Sequence, residues 1–114
     1  MAEAAIKSKS SVKVQRPVVI KLSNGEKVQA RINTVFSSGI AFLSIEPSKV
    51  NAILGFGFTL KSRKADHVFN IKGKVVRSYL KGDQYHNFVK FENLTKQEKG
   101  MLTDFIADMR DYRV

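Results

Sequence analysis

The stretch KVQARINTVFSSGIAFLSI, which runs from Lys27 to Ile45, decides the fold of this 114-residue chain. On both sides of Ser37-Ser38-Gly39, apolar side chains recur at every second position, which indicates β-strands that bury one face. These positions are Val28, Ala30, Ile32, Ile40 and Phe42. Gly39 can take the positive φ that a tight turn between such strands often needs. Because a lone hairpin is only marginally stable in water, further strands must close round this one.

The same periodicity predicts six strands, and Asn24-Gly25 marks a hairpin between the first two. The predicted strands are 14–22, 27–35, 39–45, 55–60, 68–80 and 84–91. In the fifth strand, simple alternation puts Arg77 and Tyr79 on the same face as Val75. No helical crossover separates the strands, which favours an antiparallel sheet, and closure into a small barrel removes its exposed edges.

The period changes after the last strand, where Thr95 and Glu98 form the pattern of a helix capping box. The apolar side chains that follow have helical spacing and define one stripe. They are Met101, Leu102, Phe105, Ile106 and Met109. Gly100 is unfavourable in a helix, which suggests that it packs closely against another element. The predicted fold class is therefore mainly β, a six-stranded antiparallel barrel with one C-terminal helix.

The composition favours an anionic partner. Lys and Arg total 20 against 10 Asp and Glu, a net charge of +10. Such a charge attracts nucleic acid, a nucleotide, a phospholipid surface or an acidic protein, although it also serves solubility alone. The chain contains no cysteine, and no stretch has the composition of a signal peptide or a membrane span. We therefore expect a soluble protein in the cytoplasm.

Catalytic and metal-binding patterns are missing from the sequence. His67 and His86 have no acidic or histidine neighbour at ligand spacing, so they do not predict a metal site. Ser37 and Ser38 lack the glycine pattern of a nucleophile and an obvious base. We therefore expect a protein that is not an enzyme and that needs no cofactor.

A run near the C-terminal end carries a family resemblance. Gly73-Lys74-Val75-Val76-Arg77 is followed by a hairpin, by Phe88-Val89-Lys90-Phe91-Glu92-Asn93-Leu94-Thr95 and by the helix. This order, together with Ser38-Gly39-Ile40-Ala41-Phe42-Leu43, resembles the PilZ domain family over most of the chain. The resemblance implies a six-stranded barrel with a closing helix that acts as a bacterial receptor for cyclic di-GMP.

Two motifs bind cyclic di-GMP in that family: R-x-x-x-R before the first strand, and D/N-x-S-x-x-G between the second and third. Here Lys9 and Lys13 have the spacing of the first motif, and lysine lacks the planar fork of arginine. Counting back from Gly39 puts Thr34 and Phe36 at the Asp and Ser positions, and Asn33 is one residue too early unless the turn carries an insertion. The resemblance thus implies a diverged site. Its predicted residues are Lys9, Lys13, Arg16, Thr34, Phe36, Ser37, Ser38 and Gly39.

Two functional classes remain open from the sequence. The first is a small stand-alone PilZ-like module, with a basic arm at 1–13 and a barrel domain at 14–114. It either binds cyclic di-GMP through the diverged site or acts as an adaptor for a protein partner in a process such as motility. The second is a basic barrel that holds single-stranded nucleic acid by stacking and phosphate contacts. Phe36, Tyr79, Tyr85 and the Arg63-Lys64 turn would form its surface.

Overall fold

A computed structural model describes residues 11–62 and 65–113, the last four of them by backbone alone. Six strands and one helix follow one another in the predicted order. They are β1 (Ser11–Lys21), β2 (Lys27–Phe36), β3 (Gly39–Ser44), β4 (Ile53–Lys61), β5 (Asp66–Lys81), β6 (Gln84–Phe91) and α1 (Lys96–Arg113). β1 begins at Ser11, whereas the sequence pattern began it at Val14. Residues 1–10 lie outside the described residues, so the boundary between arm and barrel stays a prediction.

The strands form a closed barrel in the order β1-β2-β3-β6-β5-β4, and all neighbouring pairs are antiparallel. The predicted fold class is confirmed. Alternate side chains of every strand fill the barrel, including Ile32, Phe42 and Val75. Val28 was predicted to be buried but is 42% exposed, because it is the second residue of β2 and lies next to the β1–β2 turn at one end of the barrel.

The helix begins at the predicted capping box. The Thr95 amide donates to Oε1 of Glu98 at 3.0 Å, and the Glu98 amide donates to Oγ1 of Thr95 at 3.1 Å. Leu102, Phe105 and Ile106 are buried with the barrel core. The prediction for Gly100 is wrong, since a Cβ built there would have no heavy atom within 4 Å. The glycine weakens the helix without serving a close contact.

The turn glycines divide into two kinds. Gly25 has φ 91° in the predicted Asn-Gly hairpin, where Oδ1 of Asn24 accepts a hydrogen bond from the Glu26 amide at 2.9 Å. Gly39 does not have a positive φ, which corrects the prediction for the β2–β3 turn. A Cβ at Gly39 would instead collide with the backbone carbonyl of Val89 on β6. Gly39 is thus required for the close approach of two strands.

A β-bulge in β5 changes the side of the sheet on which several residues lie. The β5–β6 register pairs Val75 with Val89 but Arg77 with Phe88, so Val76 is an extra residue in β5. Because paired residues share a face, Arg77 lies on the outer face although Val75 is fully buried inside. The predicted common face of Val75, Arg77 and Tyr79 is therefore wrong.

Among the described residues, no helix combines the length and apolar character needed to cross a membrane.

Candidate ligand-binding face

The β2–β3 hairpin and the start of β1 bring most of the predicted site residues together. Phe36 pairs with Gly39 across the hairpin and with Ser11 on β1, and Thr34 pairs with Lys13. Ser37 and Ser38 form the turn itself, where the Ser38 carbonyl accepts a hydrogen bond from the Phe91 amide at 2.9 Å. The hairpin is thereby fixed to β6, while the Lys13 side chain remains exposed.

Asn33 occupies a bulge next to these residues. The β2–β3 register pairs Ile32 with Phe42 but Thr34 with Ala41, which makes Asn33 an extra residue in β2. Its Oδ1 atom is buried and has no hydrogen-bond partner among the described residues. A buried acceptor without a partner is costly, and a ligand N–H group would satisfy it. The register thus places the extra residue in β2 at Asn33, and not in the turn at Ser37 and Ser38.

A row of aromatic rings extends from the hairpin across the outer face of β6 and β5; we call Phe36, Phe88, Tyr79 and His86 the outer aromatic row. The Phe36 and Phe88 ring centroids are 6.4 Å apart. Tyr79 lies nearly parallel to Phe88 at 6.2 Å and to His86 at 5.6 Å. Phe36 is only 8% exposed, whereas the other three rings are half-buried and offer part of their surface to a ligand.

Cationic side chains surround this row. The Arg77 guanidinium carbon lies 4.7 Å from the centroid of the Tyr79 ring, which is a cation–π distance. Lys90 is exposed on β6 directly opposite Gly39, and Lys13 is exposed on β1. Flat rings beside positive charges can stack on planar bases and attract phosphates, which is the chemistry that nucleotide recognition requires.

A buried hydrogen-bond network supports the row from inside the barrel. Asn87 of β6 is fully buried, and its Oδ1 accepts a hydrogen bond from the Ser78 hydroxyl of β5 at 2.7 Å. Its Nδ2 donates to the Ser44 hydroxyl at 2.9 Å and to the Phe42 carbonyl at 3.2 Å. A satisfied network of this kind fixes β3, β5 and β6 relative to one another.

The structure separates other predicted residues from this face. Arg16 pairs with Ile32 beyond a bulge in β1 and lines a groove formed with β4 and β5. Tyr85 is next to His86 on β6 and therefore points to the other side of that strand. Lys9, Arg63 and Lys64 lie outside the described residues.

Sequence reasoning missed Arg77, His86 and Phe88 as members of this face. Simple alternation assigned Arg77 to the barrel interior, because nothing in the sequence marked Val76 as a bulge. One sequence signal could have found Phe88. Val89 and Phe91 are two residues apart and face the core, so Phe88, next to Val89, falls on the opposite face of β6.

The part of the chain with a described structure contains no group of three or more His, Asp or Glu residues placed to hold a metal ion.

Comparisons with known proteins identify the fold and its family. The family model described as PilZ domain matches residues 7–108. Among curated protein sequences no significant match was found. Solved structures are similar at low sequence identity. One is the Bacillus subtilis inhibitor of motility MotI/DgrA, with a TM-score of 0.79 at 11% identity. It covers 91% of this chain and 50% of that one.

Two further similar structures contain cyclic di-GMP. Escherichia coli YcgR in complex with c-di-GMP has a TM-score of 0.77 at 13% identity, covering 90% of this chain and 46% of that one. The PilZ domain of the same protein with c-di-GMP has a TM-score of 0.68 at 12% identity, covering 90% and 91%. The chain thus spans about half the length of MotI/DgrA and of full-length YcgR.

Proposed function

Because the chain belongs to the PilZ domain family, we propose that it is a regulatory module that binds cyclic di-GMP on the face described above. The observation that carries this proposal is the outer aromatic row, which joins the hairpin at Phe36 and is flanked by cations. Two solved relatives in fold are complexes with c-di-GMP, which supports the same ligand here.

Each part of the face has a role in this proposal. The half-buried rings of Tyr79 and Phe88 offer a surface on which a guanine stacks. Arg77 and Lys13 supply positive charge for the phosphates, and Lys9 would add to it from the arm. The unpartnered Oδ1 of Asn33 accepts a hydrogen bond from an N–H group at a guanine edge. The turn at Ser37 and Ser38 lets the ligand approach the backbone, whereas the space beside Gly39 is filled by the Val89 carbonyl.

The proposed module regulates through binding and not through catalysis, and it acts in the cytoplasm. The family model and the similar c-di-GMP complexes support a ligand-binding role. The lack of cysteine is typical of proteins kept in a reducing compartment. Single-stranded nucleic acid as the ligand is not supported by the comparisons, and we do not propose it.

Replacing Tyr79 tests the role of the outer aromatic row. Tyr79→Ala removes the ring between Phe88 and His86, so we expect about tenfold weaker binding of fluorescently labelled cyclic di-GMP, measured by anisotropy. Val68→Ala is the matched control, because Val68 is an exposed apolar residue on the outer face of the same strand, away from the row. Equal affinity of the Tyr79→Ala variant and the unchanged protein would contradict the proposed site.

A further inference from the structure

A second concave surface lies on the outer face of β1, β4 and β5. It is a groove of about 920 Å³, and we call it the glycine groove because Gly55 and Gly57 form part of its floor. The register places Lys21–Gly55–Lys72 in one row across the three strands and Val19–Gly57–Asn70 in the next. Two positions in the middle strand thus lack side chains where neighbouring strands carry them, which produces the depression.

The charge of the groove is uniformly positive. Lys21 and Lys72 flank Gly55, and Lys27 of β2 extends that row because it pairs with Lys21 of β1. Lys61 and Arg16 also line the groove, and no carboxylate does so. Clustered cations without counter-charges repel one another and attract an anionic partner.

Arg16 adds an independent sign of a missing partner. Its Nη1 donates to the Gln15 carbonyl at 3.0 Å, but its Nε atom is buried without a hydrogen-bond partner among the described residues. A guanidinium with a free Nε–H can take a carboxylate through two parallel hydrogen bonds. Arg16 lines the groove where β1 and β4 separate, since their pairing stops at Val19 and Gly57.

The exposed apolar side chains of the groove are aliphatic, because the phenylalanines that line it, Phe56, Phe58 and Phe69, are buried in the barrel core. Both Val19, which is 40% exposed and pairs with Gly57, and Val68, which is 66% exposed and pairs with Thr59, line the groove. The side chains that the register directs outward here include no aromatic ring on which a base could stack. Aliphatic patches beside lysines are complementary to a protein segment in which apolar side chains alternate with carboxylates, and less so to nucleic acid.

We infer that the glycine groove docks an acidic segment of a partner protein. An apolar side chain of the segment lies over Gly55 and Gly57, and its carboxylates face the lysine row and Arg16. From Gly55 to Lys61, β4 offers a length of about 20 Å at about 3.3 Å per residue, enough for an extended segment of about six residues. The groove lies on the first half of β5, whereas the outer aromatic row lies on the second half.

A labelled peptide tests this docking surface directly. The probe is a fluorescein-labelled peptide of about twelve residues in which glutamates alternate with leucines, and anisotropy reports its binding. We expect saturable binding that weakens about tenfold in the Lys21→Glu/Lys72→Glu double variant. The matched control, Lys96→Glu/Lys99→Glu, makes the same change in net charge on exposed positions of α1 and should bind like the unchanged protein.

A second variant tests the shape of the groove without changing its charge. In Gly55→Val the new Cβ would lie 3.4 Å from Cβ of Lys21, an ordinary contact, so the fold should be retained while the floor is filled. We expect at least about fivefold weaker peptide binding with the thermal midpoint preserved. Binding of cyclic di-GMP should be unaffected in both groove variants, which separates this inference from the proposed ligand site.

Three results would overturn the inference. The first is an equal loss of peptide binding in both charge-reversal variants, which would indicate net charge alone. The second is tight peptide binding by Gly55→Val. The third is tighter binding of oligo-dT or of phosphatidylserine vesicles than of the peptide, with sensitivity to Lys21→Glu/Lys72→Glu, which would assign the groove to nucleic acid or to a membrane surface.

Discussion

At the scale of single residues, Gly39 shows how a strand contact and a candidate ligand site depend on the same position. It is buried at the hairpin, directly opposite Lys90 of β6, and the Val89 carbonyl occupies the space that a side chain would need. The glycine of the D/N-x-S-x-x-G pattern therefore has a structural role here. Glycine is therefore required at this position whether or not the other positions of the motif have diverged.

Gly39→Ala should destabilise the protein by about 2 kcal/mol, because the added methyl forces β2–β3 and β6 apart. Urea denaturation followed by circular dichroism measures the change. Gly55→Ala is the matched control in a strand, since a Cβ there meets only Lys21, at 3.4 Å from its Cβ and 3.9 Å from its carbonyl oxygen, and should cost little. Equal free energies of unfolding for the two alanine variants would show that the close approach at Gly39 does not contribute to stability.

At the scale of secondary-structure elements, bulges decide which residues reach the outer face. Val76 shifts the register of β5 so that Arg77 and Tyr79 face outward beside Phe88. Asn33 shifts β2 next to the hairpin, and a further bulge lies between Lys13 and Arg16 in β1. All three occur in strands that contribute to the candidate face or to the glycine groove, which agrees with the tendency of bulges to redirect functional side chains.

Gly100 lowers the stability of helix α1, and a single substitution can remove this effect. Gly100 is exposed and has open space around its Cα, so Gly100→Ala should stabilise the protein by about 1 kcal/mol through helix propensity alone. Thermal or urea unfolding measures this gain. Thr95→Ala, which removes the capping hydroxyl bonded to the Glu98 amide, should lower stability by a similar amount. A loss of stability in Gly100→Ala would reveal a contact of this glycine that the structure does not contain.

The sequence predicted the elements well because their signals are local. Alternation in the Lys27–Ile45 stretch, the Asn24-Gly25 turn and the capping box at Thr95 each depend on neighbours in the chain. The outer aromatic row and the buried Asn87 network depend on register between β3, β5 and β6, which the sequence does not encode locally. A single inserted residue such as Val76 reverses every later assignment of face in its strand.

At the scale of the whole molecule, the barrel presents two surfaces of different chemistry. The outer aromatic row and its flanking cations lie on β2, β6 and the second half of β5. The glycine groove lies on β1, β4 and the first half of β5. A net charge of +10 favours anions at both surfaces, but aromatic rings distinguish the first and aliphatic side chains the second. We therefore propose that one barrel binds a dinucleotide and a protein at separate places.

Calorimetric titration with cyclic di-GMP is the sharpest test of the proposed ligand site. We expect saturable heat with cyclic di-GMP and none with GTP at the same concentrations. The affinity should fall as salt rises, and Lys13→Ala should weaken binding about threefold to tenfold whereas Lys96→Ala should not, because only Lys13 lies beside the hairpin. The absence of saturable heat with cyclic di-GMP, even at low salt, would contradict the claim that this face is its binding site.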